Sequence, residues 1–137
     1  MKKFDPQIYP RKLYIVESYD EIMELFTNRD KDATSPPDTD GYGAITFPVI
    51  EKSTGHYGVA VYFVEDITIG RIAHEADHVV SSMWHDLGVD FDFLKDEHHA
   101  YMLGLVAECI GEALGLTIVK ENSYDVQREK NTTESNR

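Results

Sequence analysis

The chain has 137 residues, enough for one domain and one core, and its 42% hydrophobic and 28% charged composition is that of an ordinary globule. Twenty-five acidic against thirteen basic residues give a net charge of −12, which disfavours direct binding to nucleic acid or to an anionic membrane. A single cysteine, Cys109, excludes an intrachain disulfide, and its apolar neighbours mark it as a buried thiol.

Taken in chain order, residues 1–10 carry charges and prolines where a signal peptide needs an apolar stretch, so a cytoplasmic location is expected. No segment approaches the roughly 18 apolar residues of a membrane span. Residues 11–18 are β-branched and aromatic and read as a strand; residues 19–26 carry Ile22, Leu25 and Phe26 at helical spacing. Residues 27–43, centred on Ser35-Pro36-Pro37-Asp38, read as a long loop. Residues 44–51 and 57–65 are two β-rich runs separated by a short turn, the pattern of a hairpin. Pro48 has no N–H for a ladder and points to a sheet edge, to which a peptide can add as an extra strand.

Asp66 or Thr68 is the predicted cap of a helix of about five turns, with Ile69, Ile72, Ala76, Val79, Val80, Met83 and Leu87 as its apolar stripe and Gly88 as its stop. A second helix is predicted from about Asp96 to Leu114, with Leu103, Val106, Ala107, Ile110 and Leu114 buried and Gly115 as its stop. Residues 119–137 are nearly all polar and are expected to form a disordered tail after a single domain spanning 1–118. The expected fold class is α+β: a small antiparallel sheet packed on the two helices.

The first of these helices carries His74-Glu75-Ala76-Asp77-His78. Helix positions four apart share a face with Cβ atoms about 5–6 Å apart, so His74 and His78 can offer two imidazole nitrogens to one Zn2+ ion. Glu75 then stands beside the metal, where its carboxylate can take a proton from the water that zinc acidifies. This is the His-Glu-x-x-His pattern of zinc metallopeptidases.

A catalytic zinc needs three protein ligands and one open position. The metzincin pattern is excluded because its later Gly and His positions hold Ser81 and Trp84. His85 follows His78 by seven residues on the same helix, a rise of about 10 Å, too far to share the ion. Glu97, 19 residues after His78 and in the first turn of the second helix, is the preferred third ligand; Asp96, His98 and Glu108 remain alternatives. Along that helix Glu97, Tyr101, Gly104, Glu108 and Gly111 form one stripe outside the core, with the glycines expected to allow close approach to the His74 helix. Tyr101 reads either as a packed aromatic or as a group that orients a ligand. Asp77 and His99 are read as solvated, and Met83 and Trp84 as core.

The stretch from Ile72 to Val80, followed by Glu97-His98-His99-Ala100-Tyr101, resembles the gluzincin zinc peptidases and their minimal members, the minigluzincins. It is also similar to small phage and mobile-element proteins of gut bacteria. Those enzymes combine a short sheet, an active-site helix and a glutamate helix, a zincin-like architecture that this element order matches. The resemblance implies His74, His78 and Glu97 as zinc ligands, Glu75 as general base, and a peptide or protein substrate. Two rivals from other classes are a zinc-binding interaction module without catalysis and an acidic DNA mimic of phage origin, the latter resting on the charge of −12.

Overall fold

The computed structural model describes residues 1–28, 41, 43–116 and 127–128. In chain order the elements are β1 (Lys2–Asp5), β2 (Lys12–Val16), α1 (Tyr19–Leu25), β3 (Phe26–Asn28), β4 (Ala44–Glu51), β5 (Tyr57–Phe63), α2 (Ile69–Leu87), α3 (Glu97–Ala113) and β6 (Gln127–Arg128). The fold class is α+β, as the patterning predicts. The strands form one sheet in the order β3-β4-β5-β2-β1-β6.

Alternation along the strands divides the core between the two faces of this sheet. Leu13, Ile15, Val59 and Val61 pack with Ala76, Val79, Val80 and Met83 of α2 and with Met102, Leu105, Val106 and Ile110 of α3. Tyr14, Val16, Phe47, Val49 and Ala60 point the other way, onto Ile22 of α1 and Phe26. Because neighbours on a strand face opposite sides, each β run supplies both layers. Tyr14 lies over Gly58, the only residue type that fits there: a Cβ would come within 2.5 Å of the Lys12 carbonyl oxygen and of the Tyr14 ring.

The sheet departs from expectation in one respect. It is mixed and not antiparallel, because β2 pairs with β5 in parallel, Leu13 opposite Val59 and Ile15 opposite Val61. The β1–β2 and β4–β5 pairs are both antiparallel, as local hairpins require. Their junction is the non-local step, and its direction is set by the crossover through α1, β3 and β4. This placement makes β5 an interior strand, so it offers no edge to a peptide. On β4 the described β3 ladder runs from Glu51 to Val49, and Pro48, next along the strand, has no N–H to give. Among the described residues, the Ala44–Pro48 half of β4 has no paired neighbour on its outer side, and neither do Lys2 and Lys3 of β1.

Helix α2 follows its local signals closely. The Thr68 side chain accepts from the Arg71 N–H at the start, and Gly88 ends the helix in the left-handed conformation at φ 68°. Ile69, assigned to the stripe, is instead exposed. Helix α3 starts at Glu97 with no side-chain cap from Asp96. Its buried residues are Met102, Leu105, Val106, Cys109 and Ile110, so the helix is turned about a quarter turn from the predicted stripe, at 100° per residue. Gly111 does not provide the expected close approach to α2, since a Cβ there would meet only the Leu116 carbonyl at 3.9 Å. Most of the predicted 27–43 loop and of the polar tail lies outside the described residues. Two short pieces of these segments join the sheet: Thr27 and Asn28 in β3, and Gln127–Arg128, which pairs with β1. No helix among the described residues is long and apolar enough to cross a membrane.

At the far end of β4 the buried Glu51 carboxylate accepts from Lys3 Nζ at 2.9 Å, Thr54 Oγ1 at 2.8 Å and the Tyr14 hydroxyl at 3.2 Å. Burial alone raises the pKa of this carboxyl, but the Lys3 and Thr54 hydrogen bonds, the Lys3 charge and the Tyr14 hydroxyl outweigh it and hold the group below its ordinary value. A carboxyl depressed by folding stabilises the protein above its unfolded pKa, and that contribution fades as pH falls through the lowered folded value. Glu51→Gln is therefore expected to destabilise by about 1–3 kcal/mol near neutral pH. Melting curves of both proteins should converge as the pH drops below about 4; a gap independent of pH would refute the electrostatic account.

Candidate metal centre

His74 and His78 lie one turn apart on the exposed side of α2, opposite Ala76, Val79, Val80 and Met83. Their Nε2 atoms are 3.1 Å apart and the ring centroids 4.7 Å apart, with the rings nearly perpendicular. A tetrahedral zinc with Zn–N bonds of about 2.0–2.1 Å separates two ligand nitrogens by about 3.3 Å. The two imidazoles thus converge as two corners of such a site would. Their spacing also suits a hydrogen bond between one ring that carries its proton on Nε2 and one that does not.

Glu75 occupies the flank of α2 between this pair and the sheet. It is 4% exposed, and its Oε2 accepts a 2.6 Å hydrogen bond from Thr46 Oγ1 on β4. Thr46 can reach it because Phe47 and Val49 face α1, which turns Thr46 toward α2. The carboxylate therefore sits between the histidine helix and the Ala44–Pro48 half of β4. Thr46 escapes a motif search. The available signal is a hydroxyl on the inward side of an alternating strand, which has to find a buried partner.

Glu97 opens α3 and is exposed, and it makes no hydrogen bond or ion pair with the described residues. Among the described residues no three His, Cys, Asp or Glu side chains are grouped closely enough to hold an ion. The histidines are brought together, then, and Glu97 does not join them in this conformation. With Met102, Leu105 and Cys109 turned inward, Glu97 lies on the outer side of α3.

His98 is held by the Tyr9 hydroxyl and lies 5.5 Å from the Trp84 ring, so it is committed elsewhere. Asp96 precedes α3, and Glu108 and Tyr101 are exposed, Tyr101 by 59%. Asp77 and His99, read as solvated, instead face each other across α2 and α3 at 3.2 Å. Met83 is fully buried, as expected; Trp84 is 6% exposed and also lines a surface cleft. His85 stays on an unbroken helix and does not reach the pair.

Comparison with protein-family models, with curated proteins and with solved structures finds no match to this chain.

Proposed function

We propose that the protein is a cytoplasmic zinc-dependent peptidase of the gluzincin type. The observation that carries this reading is the convergence of His74 and His78 Nε2 at 3.1 Å, with the Glu75 carboxylate on the adjoining flank of the same helix. The donor set fits zinc at two corners, and Glu97 is assigned the third, its exposed carboxylate, unpaired among the described residues, being free to change rotamer when an ion arrives. When bound, the metal acidifies a water molecule and polarises a substrate carbonyl.

The remaining chemistry belongs to the chain. Glu75 accepts the proton of the attacking water and returns it to the leaving amine as the peptide bond breaks. Thr46 holds that carboxylate against β4, so it is oriented before substrate arrives. An extended peptide that pairs its backbone with the Ala44–Pro48 half of β4 lies beside the strand, next to the Thr46 and Glu75 side chains on the α2 face.

The test is hydrolysis of a mixed peptide library by protein loaded with one equivalent of zinc, followed by mass spectrometry. New amino termini are expected with zinc and should be absent after chelation. Cleavage that survives chelation would remove the metal from the account.

A further inference from the structure

A second site lies on the same side of α2, where its C-terminal half, residues 88–96 and the start of α3 enclose a cleft of about 550 Å³. Its walls are aromatic. Trp84 and Phe91 have ring centroids 6.2 Å apart, Phe91 and Phe93 stand perpendicular at 4.6 Å, and His99 lies 4.7 Å from Phe91. Phe93 is 85% exposed, so a whole ring faces water at the rim. The carboxylates at the cleft are Asp77 and Asp90, His85 and His99 are its imidazoles, and among the described residues no Lys or Arg lines it. The Asp77 carboxylate has one oxygen on His99 at 3.2 Å and remains half exposed, and Asp90 is exposed.

Aromatic faces alone would take any apolar group, and carboxylates alone would leave a small cation in water. Together they select a cation with flat, weakly hydrated faces. A guanidinium stacks on indole and phenyl rings and forks onto a carboxylate, whereas an ammonium is a strongly hydrated point charge. The volume falls within the range of about 300–1,000 Å³ of ligand clefts, which leaves room for a long side chain together with flanking backbone. The cleft also adjoins the histidine pair: Asp77 precedes His78, and Ser81, which lines it, is three residues and about 4.5 Å further along α2.

We propose that this cleft binds an arginine side chain of the peptide substrate, two or three residues from the bond that is cut, at about 3.3 Å per extended residue. The identity of its owner as a substrate rests on the peptidase reading; the recognition of a guanidinium does not.

Trp84 is the only tryptophan of the chain and lines the cleft, so its fluorescence reports occupancy directly. The probes are acetyl-Ala-Ala-Arg-Ala-Ala-amide and the same peptide with citrulline, the neutral isostere, or norleucine in place of arginine. Each is titrated into the full chain with and without zinc. A saturable change is expected with the arginine peptide, with affinity about tenfold higher than for citrulline. The preference should vanish in the Asp77→Asn/Asp90→Asn double variant, whose exposed sites leave the circular dichroism spectrum unchanged. Equal binding of the three peptides, or no response to arginine, overturns the assignment. An arginine preference in a protein that binds no zinc would keep the cleft and remove the peptidase reading. Zinc-dependent hydrolysis indifferent to arginine would do the reverse.

Discussion

Replacing Glu75 by Gln is expected to lower peptide hydrolysis by about a thousandfold, within the range that general acid–base groups contribute, while zinc content stays at the wild-type level. The substitution is a fair one on structural grounds. Glu75 is buried, and the amide oxygen of Gln can still accept from Thr46, so the contact between α2 and β4 survives. What is lost is the capacity to take and return a proton. Single-turnover assays of zinc-loaded wild type and variant would measure it. A variant as active as wild type, or a biological role that persists unchanged in it, would favour the rival reading of a zinc-binding interaction module, in which the Thr46 bond merely pins the helix to the sheet.

The second large effect concerns the third ligand. Glu97→Gln should weaken zinc binding well beyond the roughly 10–100-fold that loss of an orienting partner costs, and Glu108→Gln, elsewhere on α3, should leave it unchanged. The two carboxylates are alike in exposure, so a difference between them isolates position from charge. Competition titration against a chelating dye gives both affinities. Equal behaviour of the two variants would mean that α3 supplies no ligand, and that the exposed Glu97 carboxylate is as solvated in the metal-bound protein as it is here.

The position of Glu97 depends on the rotation of α3, which the residue pattern specifies less sharply than that of α2. Helix α2 was legible because its signals are local: a Thr68 cap, a left-handed Gly88 and a narrow apolar stripe fix its ends and its rotation together. The outward convergence of His74 and His78 follows from that rotation alone. Helix α3 carries Met102, Leu103, Leu105, Val106, Ala107, Cys109 and Ile110 in close succession, so apolar residues cover more than half its circumference and several rotations would bury a good stripe. Packing against α2 and the sheet selects Met102, Leu105 and Cys109, and the choice decides where Glu97 points.

The sheet illustrates the same limit. Hairpin partners are set by short turns, and β4 with β5 could be read directly, but the parallel junction of β2 with β5 joins segments more than forty residues apart in sequence. Nothing in either strand's alternation distinguishes parallel from antiparallel pairing, and with that junction went the question of which strands are edges. Thr46 and the Asp77–His99 pair escaped for a related reason: each is ordinary in its own segment and becomes specific only when two elements meet.

The most direct test of the central claim is the zinc content per chain of untagged protein, measured by elemental analysis after reconstitution and removal of excess metal, in wild type and in His74→Ala and His78→Ala. Both histidines are exposed and contribute nothing to the core, so the variants should fold as wild type does. About one zinc per wild-type chain, as a single catalytic site requires, and its loss in either variant is the predicted result. Wild type without zinc, or zinc retained in both variants, would contradict it.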